Sequence, residues 1–156
     1  MSLVIDFEGF QVSSNQFYVK ELAAYAVNDS TFRGRWQFRA PFSLDRLDKK
    51  SKLTVMFTAC NIHLMDWSEG ELPYGDLPCI LRMLFRSFKK IYVKGLQKKK
   101  FLEGCGVDVE NLEDLNCPRF HELPPVESRC PYWHIKGFSH CAVQKAEAYA
   151  KFVESL

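Results

Sequence analysis

No apolar run in this sequence approaches the roughly 18–20 residues that a bilayer-crossing helix needs. Charge of one sign is also lacking. Twenty-one Lys and Arg against 19 Asp and Glu leave a net charge of +2, so global electrostatics single out no class of partner. Met1 to Ile5, ahead of Asp6, is too short for a signal peptide, and the chain is expected to be intracellular. Also absent are G-x-x-x-x-G-K-[ST], G-x-G-x-x-G and G-x-S-x-G, which removes the sequence grounds for a P-loop, a dinucleotide fingerprint or a nucleophile elbow. Internal repeats, low-complexity tracts and a linker to a second domain are missing too.

What is present suits one globular domain over residues 1–156. Hydrophobic residues make up 47% and charged ones 26%, and thirteen Phe supply ample core material. Leu3 to Phe10 reads as a strand and Phe17 to Val27 as its hairpin partner across the turn Ser13–Gln16. Thr31 to Arg39 alternates Phe32, Trp36 and Phe38 with Arg33, Arg35 and Arg39, which predicts a third strand with one buried and one basic, wet face. Asp45 to Lys52 suggests a short surface helix, and the rest of Pro41–Asp76 shows no clear period. His63 and Asp66 there read as turn and packing residues.

Asp76 as N-cap and Pro78 in the first turn predict a helix through Phe88. Its apolar positions Leu77, Ile80, Leu81, Leu84, Phe85 and Phe88 recur at helical spacing. Lys90 to Lys94 predicts a short buried strand. Lys98 to Glu103 predicts one or two helical turns ending at Gly104 or Gly106, and Val107 to Leu115 a weak strand or turn. Cys117 to Tyr132, with four prolines, is expected to be a loop. His140 to Leu156 predicts a final helix with Ala142, Ala146, Tyr149, Ala150 and Val153 on one stripe. The fold class is therefore α/β: an antiparallel meander, then β-α-β crossovers, in a mixed sheet covered by helices.

Two basic groups stand out. Arg86, Lys89, Lys90, Lys94, Lys98, Lys99 and Lys100 follow one another with no acidic residue between, a pattern that suits phosphate contact or a solvated helix face. Arg33, Arg35 and Arg39 with Trp36 suit stacking on single-stranded nucleic acid, or a charged edge strand.

The opening Asp6-Phe-Glu8 puts two carboxylates on one face of a strand. With the element order it resembles the RNase H-like 3′–5′ exonucleases of the DEDDh (DnaQ-like) branch. In that family D-x-E helps hold two divalent metals that polarise a phosphodiester and activate water. The family's second motif, V-G-H-N-x-x-F-D-x-x-F-L, corresponds to Tyr92-Val-Lys-Gly-Leu-Gln-Lys-Lys-Lys-Phe-Leu102. Anchoring on Phe101-Leu102 places Lys98 at the metal-binding Asp. The third motif, H-x-A-x-x-D-A, corresponds to His140-Cys-Ala-Val-Gln-Lys-Ala146, with His140 as the remnant of the general base and Lys145 in place of the Asp. Two of the four carboxylates are thus lysines, which cannot ligate Mg²⁺. The resemblance implies a dismantled centre in which Lys98 and Lys145 offset Asp6 and Glu8. The alternative is that Asp6 and Glu8 are ordinary surface strand residues.

Cys117, Cys130, His134 and Cys141 form a Cys₃His set of the kind structural zinc favours, with His121 and His140 as spare ligands. The competing reading is three unrelated buried cysteines. Cys60, Cys79 and Cys105, by contrast, read as isolated buried thiols. The combination of lost carboxylates and a Cys/His cluster resembles the Maelstrom domain, although the ligand spacing differs. The segments Lys94–Leu102 and Asp114–Pro118 also resemble transposon-associated animal proteins, which implies no function.

The expected function is a degenerate exonuclease-like domain, zinc-stabilised, that binds nucleic acid (RNA in the first instance) or a partner protein. Arg33, Arg35, Trp36, Arg39, Lys94, Lys98, Lys99 and Lys100 are the candidate contacts. One alternative is an active nuclease that uses magnesium on Asp6 and Glu8 and recruits Glu147 or Asp66. A purely structural interaction module is the other.

Overall fold

The computed structural model describes residues 1–13, 15–128 and 141–156. Its sheet has five strands: β1 (Ser2–Ser13), β2 (Gln16–Ala26), β3 (Arg33–Gln37), β4 (Lys90–Val93) and β5 (Glu110–Asn111). Their spatial order is β3-β2-β1-β4-β5. Strands β1, β2 and β3 pair antiparallel, whereas β4 and β5 join parallel to β1 and to each other. Helices α1 (Lys49–Asn61), α2 (Leu77–Ser87), α3 (Leu96–Gly104) and α4 (Ala142–Glu154) complete the fold. This is the mixed α/β sheet covered by helices that the element order predicts, and it is compatible with an RNase H-like arrangement.

Strand alternation sorts β1 between two cores. Leu3, Ile5 and Phe7 face α2 and α3, packing with Leu81, Leu84, Ile91, Val93 and Leu102. Val4 faces α4, packing with Ala142, Ala146, Tyr149 and Ala150. Asp6 and Glu8 follow Val4 at intervals of two and so point toward α4. A third cluster, Phe10, Val55 and Trp67, seats α1 on the far end of β1.

The hairpin pairing slips between Glu8 and Gly9, where Glu8 pairs with Glu21 but Gly9 pairs with Val19. Lys20 is the extra residue of this bulge. The backbones approach so closely here that a Cβ on Gly9 would collide with the Tyr18 carbonyl oxygen. Only glycine fits. The slip also explains the irregular apolar pattern of β2, since Val19 and Leu22 face one core while Tyr25 and Val27 face the other.

Several elements differ from the sequence expectations. The short helix expected over Asp45–Lys52 is a 3₁₀ turn, Leu44–Arg46, followed by the longer α1, for which Asp48 accepts the Ser51 N–H at 2.6 Å. Its apolar residues lie on both faces, so no helical period marks it. Asp76 precedes α2 but makes no capping bond with its side chain, because a 3₁₀ turn, Tyr74–Asp76, runs straight into the helix. Cys60, Cys79 and Cys105, expected to be buried, are exposed. Cys60 and Cys79 sit on the wet faces of α1 and α2, and Cys105 follows the end of α3.

His63 is buried and fully used. Its Nε2–H donates to the Gly9 carbonyl at 3.1 Å, Nδ1 accepts from the Met65 N–H at 3.1 Å, and the ring packs edge-on against Phe10. It is a packing residue of the bulge.

Candidate functional site: a carboxylate pair closed by two lysines

The site lies on the α4 side of β1. Gly95 (φ 109°), which L side chains rarely adopt, turns the chain from β4 into α3, and its N–H donates to Asn111 Oδ1 at 3.0 Å. That turn aims the first turn of α3 back across the sheet. Lys98 crosses the Phe7 ring, with Nζ 5.5 Å from the ring centre, and donates to Asp6 Oδ1 at 2.7 Å. The same ammonium is 3.7 Å from Glu8 Oε1. Lys145, on the first turns of α4, reaches Glu8 Oε1 at 3.1 Å. Four residues from three elements thus form one chain of ion pairs.

Asp6 is wholly buried, and among the described residues its Oδ2 has no hydrogen-bond partner. Burial raises the Asp6 carboxyl above its usual value, against the pull of Lys98 and Lys145. Burial also works against the charge on Lys98, but Asp6 and Glu8 outweigh it and raise its pKa. The donor set does not suit a divalent ion. An ammonium already touches Asp6 and lies close to Glu8, and it both occupies and repels the position a cation would need between them.

Glu21 is the residue sequence reasoning missed. It pairs with Glu8 across the hairpin and is completely buried. Its Oε2 accepts from Arg35 Nε at 2.9 Å, and its Oε1 from the Ala142 N–H at the start of α4 at 3.3 Å. A carboxylate at a helix N-terminus is favourable, so Glu21 ties β2 to the helix that carries Lys145. The one sequence signal was its position opposite Glu8, legible only with the bulge in hand.

The expected nucleic-acid residues are not brought together. Sheet order separates β3 from β4 by two strands, about 14 Å, so the Arg33–Arg39 face and the α3 lysines form separate surfaces. Arg35 is engaged by Glu21 and lies 3.8 Å from Glu71, and Trp36 packs against the core. Arg33 lies over the Tyr25 ring, and Arg39 bonds the carbonyls of Gly70 and Glu71. Lys94 and Lys99 are half-buried and Lys100 is exposed. Lys100 borders a groove of about 920 Å³ with Gln97, Phe101, Gln16, Phe17 and Tyr18 among its lining residues. Phe17 and Phe101 in turn pack on Phe7, the residue between Asp6 and Glu8.

The alternative carboxylates lie elsewhere. Glu147 is buried and accepts from the Ser128 N–H at 3.0 Å, and Asp66 is exposed and bonded to Ser68. Of the Cys/His set, Cys117 and Cys141 are buried, whereas Cys130, His134 and His140 lie outside the described residues. Burial pushes the Cys117 thiol up to about 11. His121 is exposed. Among the described residues no group of three or more metal-ligating side chains comes together, and no helix is long and apolar enough to cross a membrane. No protein-family model matches the chain, and no curated protein matches it.

Proposed function

We propose that this protein is a catalytically silent, exonuclease-like domain that holds single-stranded nucleic acid, RNA in the first instance, without cutting it. The observation that carries the reading is the closure of Asp6 and Glu8 by Lys98 and Lys145, at 2.7 and 3.1 Å. Ammonium groups held against both carboxylates leave a phosphodiester with no metal to polarise it and no activated water. Binding is assigned to the groove beside α3. There Lys100 offers phosphate contact, Phe17, Tyr18 and Phe101 offer stacking surface, and Gln16 and Gln97 offer amide groups that can meet base edges.

The test is a labelled oligoribonucleotide incubated with protein and Mg²⁺ or Mn²⁺. It should stay full length while binding weakens as salt rises. Lys99→Glu with Lys100→Glu should weaken binding further and flatten the salt slope by about two. Turnover abolished by Asp6→Ala with Glu8→Ala would show an active nuclease instead. Affinity indifferent to salt and to the lysine changes would remove nucleic acid from the account.

Structural zinc belongs to the same proposal, with Cys117, Cys130, His134 and Cys141 as ligands. Supporting it, Cys117 and Cys141 are both buried, and Cys141 directly precedes α4. A closed four-ligand site would anchor the proline-rich segment to that helix and add folding free energy. Purified protein is expected to contain one equivalent of zinc by elemental analysis, and chelation should lower its melting temperature. Metal-free protein with an unchanged melting curve in chelator would refute this.

A further inference from the structure

Helix α1 is apolar on two opposite faces, and among the described residues only one of them is covered. Val55 and Ala59 pack inward with Phe10 and Trp67. On the outer side Leu53, Met56 and Phe57 are 59%, 53% and 61% exposed, and Cys60 is exposed beside them. Their spacing of i, i+3, i+4 and i+7 makes one stripe about 11 Å long. With Thr54 and Asn61 they line a shallow cavity of about 630 Å³. Among the described residues the other exposed large apolar side chains, Met1, Met83, Leu96 and Leu156, lie on different parts of the chain. A contiguous exposed apolar stripe of this kind marks an interaction surface.

Charge selects the occupant. Lys49, Lys50 and Lys52 stand at the start of α1, and the helix contains no acidic residue. Lysines there oppose the helix dipole. Asp48 caps the helix and interacts with the Lys50 charge, and Lys52 lies 3.8 Å from Asp45. Arg46, Lys49, Lys50 and Lys52 still outnumber these two carboxylates, so Lys49 and Lys50 give the stripe a positive end. A second copy of α1 is a poor match. Parallel pairing sets lysine against lysine, and antiparallel pairing sets lysines against Cys60 and Asn61 with no acid in either helix.

We propose that the outer face of α1 is the docking site for an acidic amphipathic helix of another protein. Its apolar side would cover Leu53, Met56, Phe57 and Cys60, and its carboxylates would reach Lys49 and Lys50. This face shares no lining residue with the α3 groove, which Thr58 and Ile62 border from another side of the same helix, and it does not depend on nucleic-acid binding.

Cys60 supplies the readout, because Cys79 and Cys105 are also exposed and serve as internal controls. The whole protein is alkylated with and without a synthetic amphipathic helical peptide of leucine, alanine and glutamate. Parallel samples receive the same peptide with lysine for glutamate, or phosphatidylserine vesicles. At ten times its Kd the acidic peptide should slow alkylation of Cys60 about tenfold and leave Cys79 and Cys105 unchanged. Leu53→Ser with Phe57→Ser, both at exposed positions, should weaken peptide binding at least about tenfold. Equal protection by the lysine peptide, or none by the acidic one, would overturn the proposal. Stronger protection by vesicles would make the face a lipid surface, and dimerisation of the protein alone that masks Cys60 would make it a self-contact; either result overturns the proposal.

Discussion

Replacing Lys98 with methionine is expected to lower the unfolding free energy by about 3 kcal/mol near neutral pH. Removing one partner of a buried ion pair typically costs about 3–5 kcal/mol, because the other charge is left without compensation. The Lys98 side chain is 24% exposed, which places the expected value at the low end. Asp6 would be the stranded group, wholly buried and with Oδ2 already lacking a partner among the described residues.

The pH dependence identifies the cause. Burial raises the Asp6 pKa above the ordinary 3.8 even with Lys98 present, and loss of the ammonium should raise it further. A carboxylate with a raised folded pKa binds protons more tightly when folded, so its contribution is favourable below 3.8 and is lost as pH rises through the folded value. The variant should therefore approach the wild type in acid and fall behind it as pH rises toward 7. In the wild type, the raised pKa of Lys98 makes its contribution persist below the ordinary 10.5 and vanish as pH climbs past the folded value. Urea unfolding across this range measures both. Asp6→Asn in the Lys98→Met background should recover at least half of the loss, since the amide carries no charge to strand. A deficit that is constant with pH and not relieved by Asp6→Asn would assign the effect to lost packing of the lysine stem over Phe7.

Lys20→Met should be at least as damaging, at about 3–4 kcal/mol. The Lys20 ammonium is buried and donates to the carbonyls of Phe38, Trp67 and Glu69 at 2.8, 2.7 and 2.5 Å. Three donors meet three acceptors. Burial lowers its pKa to about 8, opposed by the carboxylates of Asp66 and Glu69, so the group remains charged at pH 7. Methionine matches the stem but leaves three carbonyls unanswered, each costing about 1–3 kcal/mol where water cannot replace the donor. Partial access of water near Glu69 keeps the total below the sum. The loop from Trp67 to Gly70 should loosen first, seen as faster amide exchange at Glu71 and Leu72, whose N–H groups bond the Gln37 carbonyl. Unchanged unfolding free energy and exchange would show that Lys20 is not the tie.

Much of the frame was legible because its signals are local. The β1–β3 meander shows in β-branched and aromatic runs broken by turns, α2 in its helical spacing, and α4 in its alanine stripe. The common direction of Asp6 and Glu8 follows from strand alternation. What escaped was whatever depends on a second element. Only the charged start of α1 was legible, and its run to Asn61 was not, because its two apolar faces cancel any period. The exposure of Cys60 and Cys79 follows from which side of each helix meets the sheet, and residue type says nothing of that. Arg35 reads as a free basic residue until Glu21 is found beneath it.

By itself, then, the sequence determined strands β1 to β4, helices α2 to α4, the paired carboxylates and the two lysines, since each depends on near neighbours in the chain. Tertiary structure decided that Lys98 and Lys145 meet Asp6 and Glu8, that Lys20 turns inward at a bulge, and that Glu21 joins β2 to α4. These contacts span from 18 to 137 residues of sequence. Burying a charge is tolerable only beside its partner, and which residues become partners is set by how the helices close over the sheet.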